Sequence, residues 1–334
     1  MAISNTPLRV YQWGRQAVKA TAVAATSKIG AETFDVEPED AYLRPPLIKG
    51  LQQRTPGNET ITVRGTRFTL GGPVNYEQLQ NLLEMSVKGT ITPTGTNPYT
   101  WTYTRDPAAD PALKVFTLER RISDGTNNID NEWPYALLSS LRISGEMDAE
   151  WRYEAQGFAR RIQASTLTAA QVFPTIEIPV VPLSKVFIDS TWATLGTTQP
   201  LTQILSFGVT FGTGAEPRRT LDGRTDQDFS IDVINGRAVT LDVEMMLLLE
   251  ASSGQYATEK TAAEAGTLRA IRIQVDGTSS KQVQIDMLLK HVAGSVFKID
   301  EQDGMDVVAL RLQESSDGTN LFRVKVVNAV AAVV

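Results

Sequence analysis

The side chains that carry most enzyme chemistry are scarce in this sequence. It contains no cysteine and a single histidine, His291. A thiolate nucleophile, a cysteine-bound metal and any mechanism that needs two imidazoles are therefore excluded. His291 follows Lys290 at the end of an apolar run, and we expect it at the surface or in an interface rather than as a general base.

Short motifs for catalysis and phosphate binding are also absent from the sequence. It has no G-x-x-x-x-G-K-[ST] loop, no G-x-S-x-G elbow and no H-E-x-x-H pair. Gly212-Thr213-Gly214 is an isolated G-x-G without a helix pattern after it, which indicates a loop. The sequence thus predicts no catalytic, cofactor-binding or metal-binding residue, and we expect the protein not to be an enzyme.

Two acidic clusters deserve a structural interpretation instead. Asp222, Asp226 and Asp228 lack the spacing of an EF-hand loop, so we expect a solvated loop there. A second group, around the turn Asp303-Gly304, is predicted to form the tip of a hairpin; it comprises Asp300, Glu301, Asp303 and Asp306. No carboxylate pair of the glycosidase type stands out among the 38 acids, although a glycan-active β-sandwich enzyme remains an alternative.

The distribution of charge also bears on the class of protein. The formal net charge is −6, and residues 1–172 carry 18 basic and 18 acidic side chains, so the excess lies in the second half. A mildly acidic chain is a poor candidate for gripping nucleic acid. We find no apolar run long enough to span a bilayer, and Met1–Pro7 does not look like the start of a signal peptide.

Strand patterns dominate the elements that would position these residues. Tyr99–Thr104 alternates aromatic residues with threonine, and Ile271–Val275 and Phe322–Val326 alternate apolar with polar residues. Asn235-Gly236 predicts a hairpin between the runs Phe229–Ile234 and Ala238–Met245. The string Ser-Asp-Gly-Thr-Asn occurs twice, from Ser123 and from Ser316, and indicates recurring turn chemistry rather than a binding motif. Trp101, Trp133, Trp151 and Trp192 are expected to anchor cores.

Two helices are expected. The spacing of apolar residues predicts one over Tyr76–Val87, with Asn75 and Gln78 resembling a capping box at its start. The second is predicted over Gln255–Ala265, which is rich in Ala, Glu and Thr.

Short matches in a common order indicate an internal duplication. Arg9-Val10-Tyr11 matches Lys185-Val186-Phe187 at a spacing of 176 residues. Three further matches follow in the same order: Ile61-Thr62-Val63 with Val239-Thr240-Leu241, Leu141-Arg142-Ile143 with Leu310-Arg311-Leu312, and Trp151-Arg152-Tyr153 with Phe322-Arg323-Val324. Prolines in Gln171–Leu183 indicate an extended connection. We therefore expect two tandem domains, 1–172 and 184–334, joined by a linker over 173–183.

Each half contains a long connection between two strands that is too long for a tight turn. These connections are Pro45–Asn58, with Lys49 and Arg54, and Gly212–Asp228 in the second half, with Arg218, Arg219 and Arg224. Compact domains rarely keep such loops without a use. We expect them to contact a neighbouring subunit.

The order of elements resembles that of the tail tube proteins of long-tailed bacteriophages. Each half is predicted as strand, strand, long loop, strand, helix and then a run of strands that ends in a hairpin. In the first half the pattern runs as follows: Glu59–Leu70, Gly71-Gly72-Pro73, Tyr76–Val87, Gly89–Gly95, Leu137–Ser144 and Ala149–Phe158. The resemblance covers nearly the whole chain as two copies. It gives no counterpart for Gln16–Glu32, and Ala replaces Leu in the second helix.

The resemblance implies a mainly β fold with minor α content: two tandem β-sandwich or barrel domains, each with one flanking helix. It also implies a structural virion protein in the phage tail, formed in the host cytoplasm. Three chains would close a ring with pseudo-sixfold symmetry, and stacked rings would form a hollow tube for DNA ejection. The chain's partners would be further copies of itself, other tail proteins, and DNA that passes through the lumen without specific binding.

The long loops would reach the adjacent ring. That assignment covers eight residues, Leu47, Ile48, Lys49, Leu51, Arg54, Arg218, Arg219 and Arg224. A tube subunit of an injection system and a virion decoration protein are the alternatives in the same class. An injection-system subunit resembles a single copy of the domain, so the duplication favours the phage tail.

Overall fold

The structure is a computed structural model, and it confirms a mainly β fold. It describes residues 8–43, 60–104, 111–124, 126–223, 226, 228–234, 240–249, 253–292, 299–302 and 304–333. Within these ranges there are 21 strands and two α-helices, one helix in each half of the sequence.

The strands of the first half are β1 (Leu8–Arg15), β2 (Ser27–Lys28), β3 (Thr33–Pro38), β4 (Ala41–Leu43), β5 (Thr60–Val63), β6 (Thr66–Pro73), β7 (Tyr99–Thr104), β8 (Phe116–Ser123), β9 (Asn128–Glu146), β10 (Arg152–Ala159) and β11 (Gln163–Ala164). Helix α1 (Leu79–Ser86) lies between β6 and β7.

The strands of the second half are β12 (Ser184–Asp189), β13 (Ile204–Gly212), β14 (Ala215–Arg218), β15 (Ile231–Ile234), β16 (Thr240–Leu248), β17 (Arg269–Asp276), β18 (Gln282–His291), β19 (Ile299–Gln302), β20 (Met305–Glu314) and β21 (Phe322–Asn328). Helix α2 (Ser253–Ala265) lies between β16 and β17.

Alternating side chains place one face of these strands on a common core. In β6, Phe68 and Leu70 are buried and Arg67 is exposed, as a pleated strand with one solvated face requires. The predicted anchors Trp101, Trp133 and Trp151 are fully buried. Trp192 is only partly buried and packs against a small separate cluster that contains Leu195, Ala270 and Leu288.

The strand pairing of the first half is repeated in the second half. β1 pairs with β8 and β8 with β9, and in the same way β12 pairs with β17 and β17 with β18. The series β3–β6–β10–β9 likewise corresponds to β13–β16–β20–β19. All these pairings are antiparallel. The order of pairing therefore supports an internal duplication.

Only one of the short sequence matches falls on corresponding strands. Arg9–Tyr11 lies in β1 and Lys185–Phe187 in β12, which occupy the same place in the pairing order. The other three are wrong by one strand: they relate β5 to β16, β9 to β20 and β10 to β21, whereas the pairing relates β6 to β16, β10 to β20 and β11 to β21. Alternating strands resemble one another at any even offset, so short matches do not fix which strand corresponds to which.

The two halves share one sheet. β13 pairs with the second part of β9 over seven residue pairs, and β7 pairs with β21. The linker is also packed, because the Trp151 amide donates to the Pro179 carbonyl (2.8 Å) and the Tyr76 amide to the Glu177 carbonyl (3.2 Å). Strands from before residue 172 pair with strands from after residue 184, so the sheet does not separate two domains there. The boundaries at residues 172 and 184 therefore stay a prediction.

The two helices have different surroundings. All eight residues of α1 are buried, whereas α2 is mostly exposed and buries Glu259 and Ala262. The predicted capping box is wrong: the Asn75 side chain accepts from the Glu77 amide, and the Gln78 side chain contacts the chain near β2. The helix prediction for Gln255–Ala265 is confirmed, with the helix beginning at Ser253.

Of the two hairpins predicted from Asp-Gly and Asn-Gly turns, the structure contains one. β19 and β20, which flank the predicted Asp303-Gly304 turn, are paired with each other, and Asp303 itself lies outside the described residues. Asn235-Gly236 lies outside the described residues, and the hairpin that it predicts is wrong, because β15 pairs with β14 while β16 pairs with β13 and β20. In the repeated string, Asp124 and Asp317 accept hydrogen bonds from the amides two and three residues ahead, which confirms shared turn chemistry.

Candidate inter-subunit surface

Each half carries a hairpin arm at the same place in its fold. Arm 1 begins with β4 paired to β5 and connects β3 to β6. Arm 2 begins with β14 paired to β15 and connects β13 to β16. Because each pair of flanking strands is hydrogen-bonded, the chain leaves the sheet and returns to it at neighbouring positions. Pro45–Asn58 itself lies outside the described residues, so the long loop assigned to it stays a prediction.

Arm 2 is docked on the first half of the chain by aromatic packing. Phe229 is fully buried and makes edge-to-face contacts with Tyr135 (5.0 Å between ring centroids) and Phe158 (5.4 Å). Edge-to-face aromatic pairs add to the free energy gained by burial alone. A second hydrophobic cluster surrounds these rings; its other members are Leu113, Val115, Leu137 and Ala215.

Two carboxylates strengthen this docking. The Asp232 carboxylate accepts from the Lys19 ammonium (2.7 Å) and from the Tyr135 hydroxyl. The Asp228 carboxylate accepts from the Arg161 backbone amide (2.9 Å), and burial raises the pKa of Asp228. The expectation of a solvated loop is therefore wrong for Asp228, which is buried beneath the arm.

Six of the eight residues assigned to the long loops lie outside the described residues: Leu47, Ile48, Lys49, Leu51, Arg54 and Arg224. The other two lie on arm 2. Arg218 is half-exposed and pairs with Glu216 (2.9 Å). Arg219 donates to the Arg64 carbonyl (2.8 Å), at the base of arm 1. Arg219 thus links the two arms within the chain, while the fully exposed Leu221 lies close to it in sequence.

The single histidine is part of a buried ionic cluster, so the surface placement expected for it is wrong. His291 on β18 lies 3.0 Å from the Glu259 carboxylate on α2, and Arg269 on β17 binds the same carboxylate (2.6 Å). Burial raises the pKa of Glu259, but the hydrogen bonds from His291 and Arg269 outweigh it, and the net shift is downward. The cluster fastens α2 to the sheet.

One sheet crosses the whole molecule and has two open edges. Its strands are ordered β3–β6–β10–β9–β13–β16–β20–β19. In the described part of the chain, β3 pairs only with β6, and β19 only with β20. Open edges present unpaired backbone groups to any further strand. In the repeated order of strand pairing, β3 corresponds to β13, and β19 corresponds to the second part of β9. β13 and β9 are the two strands that pair at the centre.

The face of this sheet opposite the core, called the polar face below, carries more acidic than basic side chains, next to a few apolar ones such as Met246, Leu248 and Val307. Its ionisable side chains are seven carboxylates, Asp35, Glu37, Glu146, Glu154, Asp242, Glu244 and Asp300, and four arginines, Arg67, Arg142, Arg152 and Arg311. Each arginine has a carboxylate partner. Arg67 pairs with Glu39 (2.8 Å), Arg142 and Arg311 pair with Glu244 (3.9 and 3.6 Å), and Arg152 pairs with Glu150 (2.5 Å) and Glu32.

One groove of the molecule is large enough to hold a small ligand. A groove of about 510 Å³ lies where β9 ends and β12 and β13 begin, and its ionisable lining consists of Asp148 and Lys185. A glycosidase site needs two carboxylates, and this groove offers one. Across the described ranges, no cluster of three or more His, Asp or Glu side chains could hold a metal ion.

Comparisons with known proteins add no identification. No protein-family model and no curated protein sequence matches this chain. Neither of the described helices is long and apolar enough to cross a lipid bilayer.

Proposed function

We propose that this chain is a structural subunit that assembles into rings of three chains, and that the rings stack into a hollow tube like the tail tube of a long-tailed bacteriophage. The observation that carries the proposal is the pair of open edges. They are counterparts of the two strands that join the halves at the centre of the sheet. Within one chain, the second half continues the sheet of the first half. A second copy of the chain, placed in the same way beside the second half, would continue the sheet further.

Such an interface is head-to-tail, and head-to-tail interfaces close into rings when the rotation between neighbours is a suitable fraction of a turn. Eight strands per chain give roughly 24 strands in a ring of three. At the usual strand spacing and tilt, such a barrel measures about 45–50 Å between opposite backbones. That leaves room for duplex DNA after side chains are added.

The polar face of the sheet suits the inside of such a tube. Carboxylates outnumber arginines there, and each arginine is already paired with a carboxylate. A polyanion is repelled by a surface of net negative charge and finds no concentrated positive charge to bind. The proposed lumen would therefore let DNA slide without holding it.

The arms suit contacts between successive rings. Both leave the sheet at the same end of corresponding strands, so they would project in one direction from a ring. Arm 2 exposes Leu221 completely, and arm 1 exposes about half of Tyr42. Large exposed apolar side chains on a projecting hairpin are typical of a contact surface. The assignment of the eight loop residues to inter-ring contact stays part of this proposal.

Negative-stain electron microscopy and light scattering of the purified protein test the proposal directly. We expect rings with the mass of three chains, or hollow tubes built from them, in a concentration-dependent equilibrium. A compact particle with the mass of one chain, at all concentrations and ionic strengths, would contradict assembly. Binding of a saccharide by that monomer would then favour the glycan-active alternative.

A further inference from the structure

We propose that neighbouring copies pair β3 of one chain with β19 of the next in a single register, which sets Val36 opposite Ile299 and Asp35 opposite Asp300. This inference rests on the ring proposed above and specifies its contact. The central junction between β13 and β9, where Val209 lies opposite Ile143, provides the template.

The strand β3 can be aligned with β13 residue by residue. Phe34, Val36 and Pro38 are the positions of β3 on the core face, and Phe207, Val209 and Phe211 are those of β13. In each triplet the last position comes just before an arm. Val36 is therefore the counterpart of Val209.

The strand β19 can be aligned with the second part of β9 through their neighbours. Ile143 lies opposite Tyr153 of β10, and Ile299 lies opposite Val308 of β20. Tyr153 and Val308 are themselves counterparts, because each lies opposite a residue at the same level of the next strand. That residue is Gly72 of β6 for Tyr153 and Leu247 of β16 for Val308. Ile299 is therefore the counterpart of Ile143.

Burial at the two open edges agrees with this alignment. At the central junction, Val209 and Ile143 are both fully buried. At the open edges their counterparts are incompletely covered: Val36 is partly buried, and 48% of the Ile299 surface is exposed. Pairing β3 with β19 would place the two side chains together and extend the core across the junction. Burying both would favour the contact through the hydrophobic effect.

The polar face of the same junction carries a charge conflict that the central junction lacks. There, Gly208 lies opposite Ser144, and both are uncharged. The proposed register replaces them with Asp35 and Asp300. Side chains directly opposite on antiparallel strands have Cβ atoms about 4.5–5.5 Å apart, and like charges at that distance oppose pairing. The contact between chains is thus weakened by charge, whereas the contact within the chain is not.

Cross-linking tests the register, because the natural chain has no cysteine to confuse the result. Chains with Val36→Cys and Ile299→Cys, oxidised after assembly, should give a ladder that ends at a covalent trimer on denaturing gels. Val36→Cys with Glu301→Cys shifts the second thiol by two residues and should cross-link poorly. Each single variant gives at most a dimer. Thermal unfolding of each variant checks that the monomer is folded.

Neutralising the junction provides a second readout. Asp35→Asn should strengthen assembly about two- to fivefold per contact, the scale of one cross-strand pair. Glu154→Gln removes a carboxylate from the middle of the same face and should leave assembly unchanged. Rings or tubes without the Val36–Ile299 cross-link would overturn the register alone. Unchanged or weaker assembly of Asp35→Asn would overturn the charge conflict, and a chain that never assembles would contradict ring and register together.

Discussion

At the scale of single residues, two buried glutamates show how neighbours decide the effect of a charge. Glu84 on α1 and Glu259 on α2 are both fully buried in their helices. Glu259 is bound by Arg269 and His291, and its pKa is lowered. Glu84 has Arg15 at 2.9 Å, yet burial dominates and raises the pKa of Glu84. The two carboxylates should therefore respond oppositely to pH.

Glu259→Gln should destabilise the folded chain by about 3–5 kcal/mol at pH 7, because Arg269 would remain buried without its carboxylate. A lowered folded-state pKa gives stability that is present above the unfolded pKa near 4.5 and is lost as pH falls through the folded value. The difference from wild type should thus shrink in acid. Urea unfolding at several pH values measures this, and the exposed Glu264→Gln on the same helix should change stability by less than about 0.5 kcal/mol.

Glu84→Gln should show the opposite dependence on pH. A raised folded-state pKa means that the wild-type chain loses stability as pH rises from the unfolded value near 4.5 through the folded value. The variant lacks this loss, so its stability relative to wild type should improve as pH rises above about 4.5 and level off once pH passes the folded pKa. Arg15 is partly exposed and can be solvated without its partner. A variant that grew relatively weaker with rising pH would contradict this account.

The sequence predicted local turn chemistry better than it predicted burial of polar residues. The carboxylates of Asp124 and Asp317 accept hydrogen bonds from residues two and three positions ahead, so their role is visible in a short string. His291, Asp228 and Asp232 meet partners 32, 67 and 97 residues distant. A short sequence pattern does not contain that information. The sequence therefore predicts exposure for His291 and Asp228, and it gives no signal for Asp232.

At the scale of elements, arm 2 combines a buried anchor with an exposed tip. The aromatic contacts of Phe229 hold the arm on the first half, whereas Leu221 is surrounded by solvent. An inter-ring contact would require this division, because a projecting hairpin must keep its direction while its tip stays free to bind.

Phe229→Ala should destabilise the chain by about 3 kcal/mol and increase proteolysis within arm 2, because it removes the ring on which Tyr135 and Phe158 pack. Leu221→Ala on the same arm should leave the unfolding free energy unchanged within about 0.5 kcal/mol. Chemical denaturation and limited proteolysis measure both effects. Equal stability of the two variants would show that the arm is not held by its aromatic anchor.

The alternation of apolar and polar residues predicts where strands form, but it does not predict which strands pair. The run of β7 was identified correctly from its alternating aromatics, yet its partner β21 lies more than 200 residues away. The Asn-Gly pair suggested that β15 and β16 form a hairpin, but β15 belongs to the arm and β16 to the sheet. Each strand in a sheet can pair on both of its sides, and strands that are close in sequence supply only some of these partners.

At the scale of the whole molecule, the two halves of the chain depend on each other. The second half covers the start of the buried helix α1: the Asn328 side chain donates to the Gln80 side chain (3.0 Å), and Lys281 pairs with Glu77, just before the helix (2.7 Å). Trp101 also donates to the Val330 carbonyl (3.1 Å). The sequence indicated two copies, but the contacts that interlock them join distant segments and have no local signature.

Separate chains of residues 1–172 and 184–334 should therefore fold poorly alone and recover when mixed. Alone, the first would leave β7 and α1 uncovered, and the second would leave the β13 edge open. Binding of a dye specific for exposed apolar surface, and circular dichroism before and after mixing, measure this. Two stable fragments that ignore each other would show that the halves are independent domains.

The central junction has a mechanical consequence for the proposed tube. Around a ring of three chains, junctions crossed by the peptide chain would alternate with junctions held by side chains and strand pairing alone. The linker, bonded to Trp151 and Tyr76, reinforces the first kind. Under tension a ring would part at every second junction, and the pieces would be whole chains rather than half-chains. The outline of the ring would be nearly sixfold, but its mechanical strength would follow threefold symmetry.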